Sequence, residues 1–498
     1  MLFNSLHFLI FFPIVVLVYF CIPQKMRYIW LLVTSYYFYM CWNVKYVTLL
    51  LFSTIITYLS GVCIEWIKQW NMEERKAMLL KKSVLIVSLL SNLGLLAYFK
   101  YANFFLENIG RVLKICHIDL NVPVVDILLP VGISFYVFQA LGYTMDVYRG
   151  DIYAEKNIFR YALFVSFFPQ LVAGPIERSK NLLKQLAVPT KFDFDSVRDG
   201  FLVMLWGFFL KIVLADRIAI FVDTVYGDYH TYTGWYLIIA TVLFAFQIYC
   251  DFYGYSCIAI GAAQILGIRL MTNFETPYLA KSVKEFWRGW HISLSSWFRD
   301  YLYIPLGGSR KGKLRKYFNL LIVFFVSGLW HGARWSFVIW GVLNGMYQVI
   351  GDILQPLKNR IANGLKLNRK SFANKMICII FTFILVDFSW IFFRATGCKE
   401  ALDIVRGILS AANPGIFWDG SLYMCGLDSK NFGVMLLSIA ILLCVDICNH
   451  YNVKIRDVVI RQDAWFRWVF IAVSICGILT LGIWGSAYNE TSFIYFQF

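Results

Sequence analysis

Apolar residues dominate this chain in long windows that short polar stretches interrupt, and the windows have about the length needed to cross a hydrocarbon layer. In order they lie at Leu2–Ile22, Ile29–Cys41, Tyr46–Ile67, Ser83–Tyr98, Val124–Val147, Phe159–Ile176, Gly200–Val222, Trp235–Ile258, Tyr317–Trp330, Ser336–Leu354, Met376–Phe393, Phe432–Cys448 and Trp468–Ile483. The pattern predicts an all-α polytopic membrane protein with about 11–13 membrane segments, read as a single integral membrane domain over residues 1–498. Some windows are too short or too interrupted for a simple span. Val124–Val147, with Pro130, Gly132, Gln139 and Gly142, reads as re-entrant or broken. The first window opens almost at Met1 without a basic leader and reads as a retained helix.

Polar periodicity changes the picture between Lys281 and Tyr301. At 100° per residue, Trp287, Trp290, Leu294, Trp297 and Tyr301 form one stripe, while Arg288, Ser295 and Arg299 line the other side. The spacing predicts one amphipathic helix with Gly289 as its weak point, able to lie at the cytoplasmic interface or to dip into the protein. His291 falls at the boundary of the two faces, where it could point to a cavity mouth or serve as an ordinary hydrogen-bonded helix residue.

Composition agrees with the windows: 59% of residues are hydrophobic and 15% charged, against roughly a quarter charged in soluble domains. The net charge of +16 is gathered in short loops beside apolar windows. It therefore points to anionic lipid headgroups and a phosphate-bearing cytosolic ligand rather than to nucleic acid. Between Lys281 and Lys316 nine basic residues face two acidic ones, a net +7. Lys68–Lys82, Arg178–Lys191, Lys358–Lys375 and Lys454–Arg467 are also basic, whereas Ala395–Asn431 is nearly neutral. Basic loops stay cytoplasmic, so both termini are expected outside. The twelve cysteines are scattered and carry no metal-ligand spacing; Cys398 and Cys425 share one external segment and could pair. There is no GxSxG, P-loop, HExxH or dinucleotide fingerprint.

The candidate chemistry centres on Tyr249–Trp340, which holds two of the six histidines. His331 joins two apolar runs, and an ionisable group near membrane depth usually faces a cavity or a partner. A neutral imidazole there can accept a proton from a hydroxyl. Gly328 and Gly332 allow close backbone approach beside it. The bland alternative is a helix-end histidine bonded to a carbonyl. Gln139, Gln170, Glu177, Gln247, Asp251, Asn273 and Asp387 are further polar residues in apolar surroundings, which either line a path or join helices.

Five motifs, in order, resemble the membrane-bound O-acyltransferase family, and within it the bacterial alginate O-acetyltransferase branch. They are PVGISFYVFQALGYTMDVYRG (Pro130–Gly150), FFPQLVAGPIER (Phe167–Arg178), DFYGYSCIAIG (Asp251–Gly261), NFETPYLAKSVKEFWRGWHISLSSWFRDYLYIPLGG (Asn273–Gly308) and GLWHG (Gly328–Gly332). The signature core covers about 124–354, extra spans follow over 376–498, and the ending FIYFQF (Phe493–Phe498) also fits. The resemblance implies a helical bundle with a central cavity joining a cytosolic and an external funnel, with re-entrant and interfacial helices. His331 matches the family's catalytic histidine and His291 its second histidine position. Trp330, Trp290, Ser293, Asn273, Asp251, Tyr249 and Gln139 are candidates for the tunnel or substrate contacts. Lys281, Lys284, Arg288 and Arg299 are candidates for the donor side. Gly289 stands where a second basic residue is expected.

The implied reaction moves an acyl group, expected to be acetyl, from a cytosolic thioester such as acetyl-CoA to an extracellular or cell-wall polysaccharide. No bound cofactor and no metal are expected. The expected partners are the donor, a secreted or membrane-anchored SGNH-type acyltransferase, the polysaccharide acceptor and membrane lipids, in a bacterial cytoplasmic membrane. D-alanyl transfer from a carrier protein to teichoic acid is an alternative, disfavoured by the two spans after the external segment. A non-catalytic glycan or lipid transporter is another, because broken helices and buried polar groups serve both classes.

Overall fold

The computed structural model describes residues 1–70, 72–118, 125, 129–172, 174–410 and 412–484. Every regular element among them is helical, as the hydropathy windows require. Among the described residues, six helices are long and apolar enough to cross a membrane: Val44–Gln69, Glu74–Ile115, Trp235–Ile265, Phe372–Arg394, Ser429–His450 and Ala464–Leu481. Trp335–Ile353 and Gln355–Gly364, bent by 49°, make a seventh if the pair is one span. The other windows form helices that are shorter, interrupted or less apolar. Gly200–Val222, for example, is divided among Phe194–Phe208, a π-turn at Phe209–Ala215 and Asp216–Gly227. Part of Val124–Val147 and the ending Phe493–Phe498 lie outside the described residues.

The chain packs as two compact units, Met1–Met204 with Ile258–Met271, and Leu205–Cys257 with Thr272–Phe498. In the first unit, polar side chains join helices that are otherwise apolar. Ser53 donates to Asn92 Oδ1 at 2.6 Å and Tyr161 donates to Thr57 at 2.7 Å. Such bonds replace the hydrophobic drive that helices lack against one another in lipid. Gln139 belongs here, on the Ile133–Arg149 helix, and its amide donates to the Phe164 carbonyl at 2.6 Å. Gln170 donates to the same carbonyl at 2.8 Å.

In the second unit, Gly312–His331 and Trp335–Ile353 form a tight helical hairpin. A Cβ on Gly328 would stand 2.4 Å from the Phe337 carbonyl oxygen, and one on Gly341 would stand 2.3 Å from that of Phe324. Only hydrogen fits at this crossing, and the crossing delivers His331 to the hairpin's closed end. The π-turn is held by a buried ion cluster, with Lys211 Nζ 2.7 Å from both Asp216 Oδ1 and Asp251 Oδ1. A buried charge is tolerated only when paired in this way.

The amphipathic helix expected over Lys281–Tyr301 is in fact broken. Val283–Gly289 and Ile292–Phe298 are separate helices, and Arg299–Tyr303 is a π-turn. The first helix starts in a capping arrangement, in which Ser282 Oγ accepts from Glu285 N and Glu285 Oε2 accepts from Lys281 N. The break arises because segment 273–276 competes for the backbone. Glu275 N donates to Gly289 O at 2.9 Å, and Ile292 N donates to Asn273 O at 3.0 Å. Gly289 permits the approach, since a Cβ there would lie 2.4 Å from the Glu275 oxygen. A glycine where a basic residue is expected thus meets a packing requirement. Cys398 and Cys425 are both free thiols.

Candidate active site

His291 sits at the break, in the left-handed region with φ +44°, a conformation that few non-glycine residues adopt unsupported. Helical spacing leaves it either at a cavity mouth or as an ordinary hydrogen-bonded helix residue. In the structure it is buried, at 1% exposure, with a hydrogen-bond partner in Asn273, and His331 is buried at 4%. His291 Nδ1 lies 3.1 Å from Asn273 Oδ1 and 3.4 Å from Ser293 Oγ. The same Asn273 oxygen accepts from Ser293 Oγ at 2.9 Å and from Ser293 N at 3.3 Å, while Asn273 Nδ2 donates to Ser256 Oγ at 3.1 Å. Phe252 packs edge-on to the His291 ring with centroids 4.6 Å apart. His291 lies outside the spanning helices, and burial pushes its pKa down to about 3. The ring is therefore neutral at physiological pH.

Trp330 joins the two histidines. Its ring meets that of His291 at 5.9 Å and that of His331 at 4.9 Å, both edge-on. His331 is also edge-on to Trp340 at 4.9 Å and to Phe393 at 5.2 Å. Trp340 stacks on Trp390 at 5.7 Å, and Trp390 meets Trp290 at 5.2 Å. Trp290 in turn meets Tyr249 at 6.0 Å. One run of aromatic rings thus leads from His331 through Trp340, Trp390 and Trp290 to Tyr249, and the edge-to-face pairs at its histidine end add to plain burial.

Trp330, Trp290, Ser293, Asn273 and Tyr249 are accordingly gathered around the histidines, directly or through a short relay of rings. Tyr249 donates to Asp446 at 3.0 Å. Asp251, one residue before Phe252, is committed to the Lys211 ion cluster. Gln139 belongs to the first unit. Lys281, Lys284, Arg288 and Arg299 are exposed, and Arg299 pairs with the adjacent Asp300 at 2.8 Å.

Sequence reasoning missed Phe252, Trp340, Trp390, Phe393 and Asp446. Trp390 and Phe393 are three apart on the Phe372–Arg394 helix, a spacing that marks one helical face but does not reveal its partner. Asn344 was missed too. It receives Trp287 Nε1 at 3.1 Å and donates to Ser389 at 3.2 Å, tying three elements together behind Trp340.

The fold is thus a multi-span helical one in which two buried histidines both meet Trp330. The chain belongs to the membrane-bound O-acyltransferase family, whose sequence model matches residues 153–362. It is 34% identical to the probable alginate O-acetylase AlgI of Pseudomonas putida across 100% of both chains. It is 29% identical to the peptidoglycan O-acetyltransferase of Helicobacter pylori, over 94% of this chain and 91% of that one. A teichoic acid D-alanyltransferase of Streptococcus thermophilus is 28% identical over 53% of this chain and 67% of its own. This protein is a membrane-bound acyltransferase.

Proposed function

We propose that the protein moves an acetyl group from a cytosolic thioester, acetyl-CoA by preference, for O-acetylation of an extracellular or cell-wall polysaccharide. The observation that carries this reading is the pair of buried histidines meeting Trp330 in a chain that aligns end to end with an alginate O-acetylase. A thioester is already activated, so the enzyme has chiefly to position it, remove the acceptor's proton and stabilise the oxyanion. In this reading His331 takes the hydroxyl proton as the oxygen attacks the thioester carbonyl. The C–O bond forms, the C–S bond breaks, and the proton passes to the departing thiolate. His291 assists from the donor side. The membrane is the bacterial cytoplasmic membrane, with both termini outside, and a secreted or membrane-anchored SGNH-type partner carries the acetyl group onward.

Exposed Lys281, Lys284 and Arg288 would attract the phosphates of the donor by a salt-screened field. Reversing all three to Glu is expected to raise the donor KM several-fold at low ionic strength and to change kcat little. A KM that ignores both charge reversal and salt removes this role. The reading as a whole is tested on purified protein in lipid nanodiscs with acetyl-labelled CoA and, in parallel, a D-alanyl-loaded carrier protein. Release or transfer of label from CoA alone supports it. Turnover of the carrier alone gives the site to D-alanyl transfer instead.

A further inference from the structure

We propose that Asn273 is a positioning residue that fixes His291 in the tautomer with hydrogen on Nδ1, so that Nε2 is the nitrogen bearing the lone pair. The inference follows from which groups have no choice of role. The Ser293 backbone N–H can only donate, and it points at the Asn273 side-chain oxygen, 3.3 Å away. That identifies the atom as the carbonyl oxygen and not the amide nitrogen, which on the other side donates to Ser256 Oγ at 3.1 Å. His291 Nδ1 faces this same oxygen at 3.1 Å. A lone pair on Nδ1 would oppose the lone pairs of the oxygen, whereas an Nδ1–H completes the bond. Both groups are buried, where a mismatched polar contact is costly and a matched one is strong.

The backbone reinforces the arrangement. Asn273 O accepts from Ile292 N at 3.0 Å, so one residue holds both the main chain beside His291 and its ring. The left-handed φ of His291 turns the ring toward Asn273 rather than along a continuous helix. Nε2 is then the basic nitrogen of a ring packed by Phe252 and Trp330. This sharpens the donor-side role given to His291 above and rests on that reading for its catalytic meaning, but the tautomer itself does not.

The test is the ¹⁵N spectrum of histidine-labelled, full-length protein in nanodiscs near pH 7.5 without substrate, with the His291 signals assigned by their loss in His291→Gln. The expected result is a protonated Nδ1 and an unprotonated Nε2. In Asn273→Leu the preference for Nδ1–H should weaken and kcat fall about ten- to a hundred-fold, the usual consequence of stranding a buried donor, with the donor KM nearly unchanged. Asn273→Asp, which keeps an acceptor against Nδ1, should recover most of the lost kcat at pH 8. An Nε2–H tautomer in the wild type overturns the proposal, as does an Asn273→Leu variant with wild-type tautomer and kcat. If Asn273→Leu does not fold, the wild-type spectrum decides alone. Because the spectrum is taken without donor or acceptor, it stands apart from the identity of the acyl group.

Discussion

His291 and His331 share Trp330 but are held in different surroundings. Around His291 an asparagine, two serines and a main-chain kink meet the ring or its seat, and the asparagine oxygen chooses which nitrogen carries hydrogen. Around His331 the ring is closed in by Trp330, Trp340 and Phe393. Aromatic walls restrain an imidazole by shape and exclude water, which strengthens any charge that develops beside it. A hydrogen-bonded seat restrains it by direction. The contrast suits the division of labour proposed above, in which His331 would exchange a proton within an aromatic cage and His291 is held in one fixed presentation.

The strongest way to break the comparison is to remove each ring in turn. His331→Ala is expected to lose about 10² to 10⁴ in acyl transfer, the usual contribution of a general base, while the protein still folds and extracts as wild type. His291→Gln should lose clearly less. Equal losses in the labelled-acetyl assay would mean that both histidines work as one unit.

The two surroundings should also differ in what they contribute to stability. Trp340→Ala empties a buried position among Trp287, His331, Trp390 and Phe393 and is expected to cost about 3–5 kcal/mol. Ser293→Ala removes the hydroxyl's hydrogen bond to Asn273 and its longer contact with His291 and should cost about 1 kcal/mol. Thermal unfolding in detergent ranks the two, and a reversed order would show that the polar seat, not the aromatic cage, dominates.

The last contrast is in pH dependence. His291 has a pKa of about 3 when folded, against 6.5 for an unperturbed histidine. Above pH 6.5 the ring is neutral in both states and the group adds no pH dependence. As the pH falls below 6.5, the unfolded chain binds a proton that the folded one refuses until about pH 3. Its effect is therefore a loss of stability on acidification across that window. His291→Gln should flatten this part of the pH–stability curve, and an unchanged slope would show that the ring is not held neutral.

Much of this is legible in the order of the amino acids. Hydropathy carries the membrane class because lipid leaves a helix few alternatives, and the motif order points to the family and to both histidines. The failure at Lys281–Tyr301 is instructive. The 3-and-4 spacing of Trp287, Trp290, Leu294, Trp297 and Tyr301 is real, yet the helix breaks because the main chain of Asn273 and Glu275 takes the hydrogen bonds a continuous helix would use. Asp251, by its apolar surroundings, reads equally as a path residue or as one that joins helices, and only the structure pairs it with Lys211, forty residues earlier.

Composition, local hydropathy and short motifs are written residue by residue, and they suffice to make this a many-spanning helical acyltransferase and to pick out two histidines. They do not say that His291 is buried at a break between two helices, that Asn273 seats it, or that Trp340 and Phe393 enclose His331. Those facts depend on contacts between segments up to about sixty residues apart, where backbone hydrogen bonds and ring packing outweigh the periodicity of either segment alone.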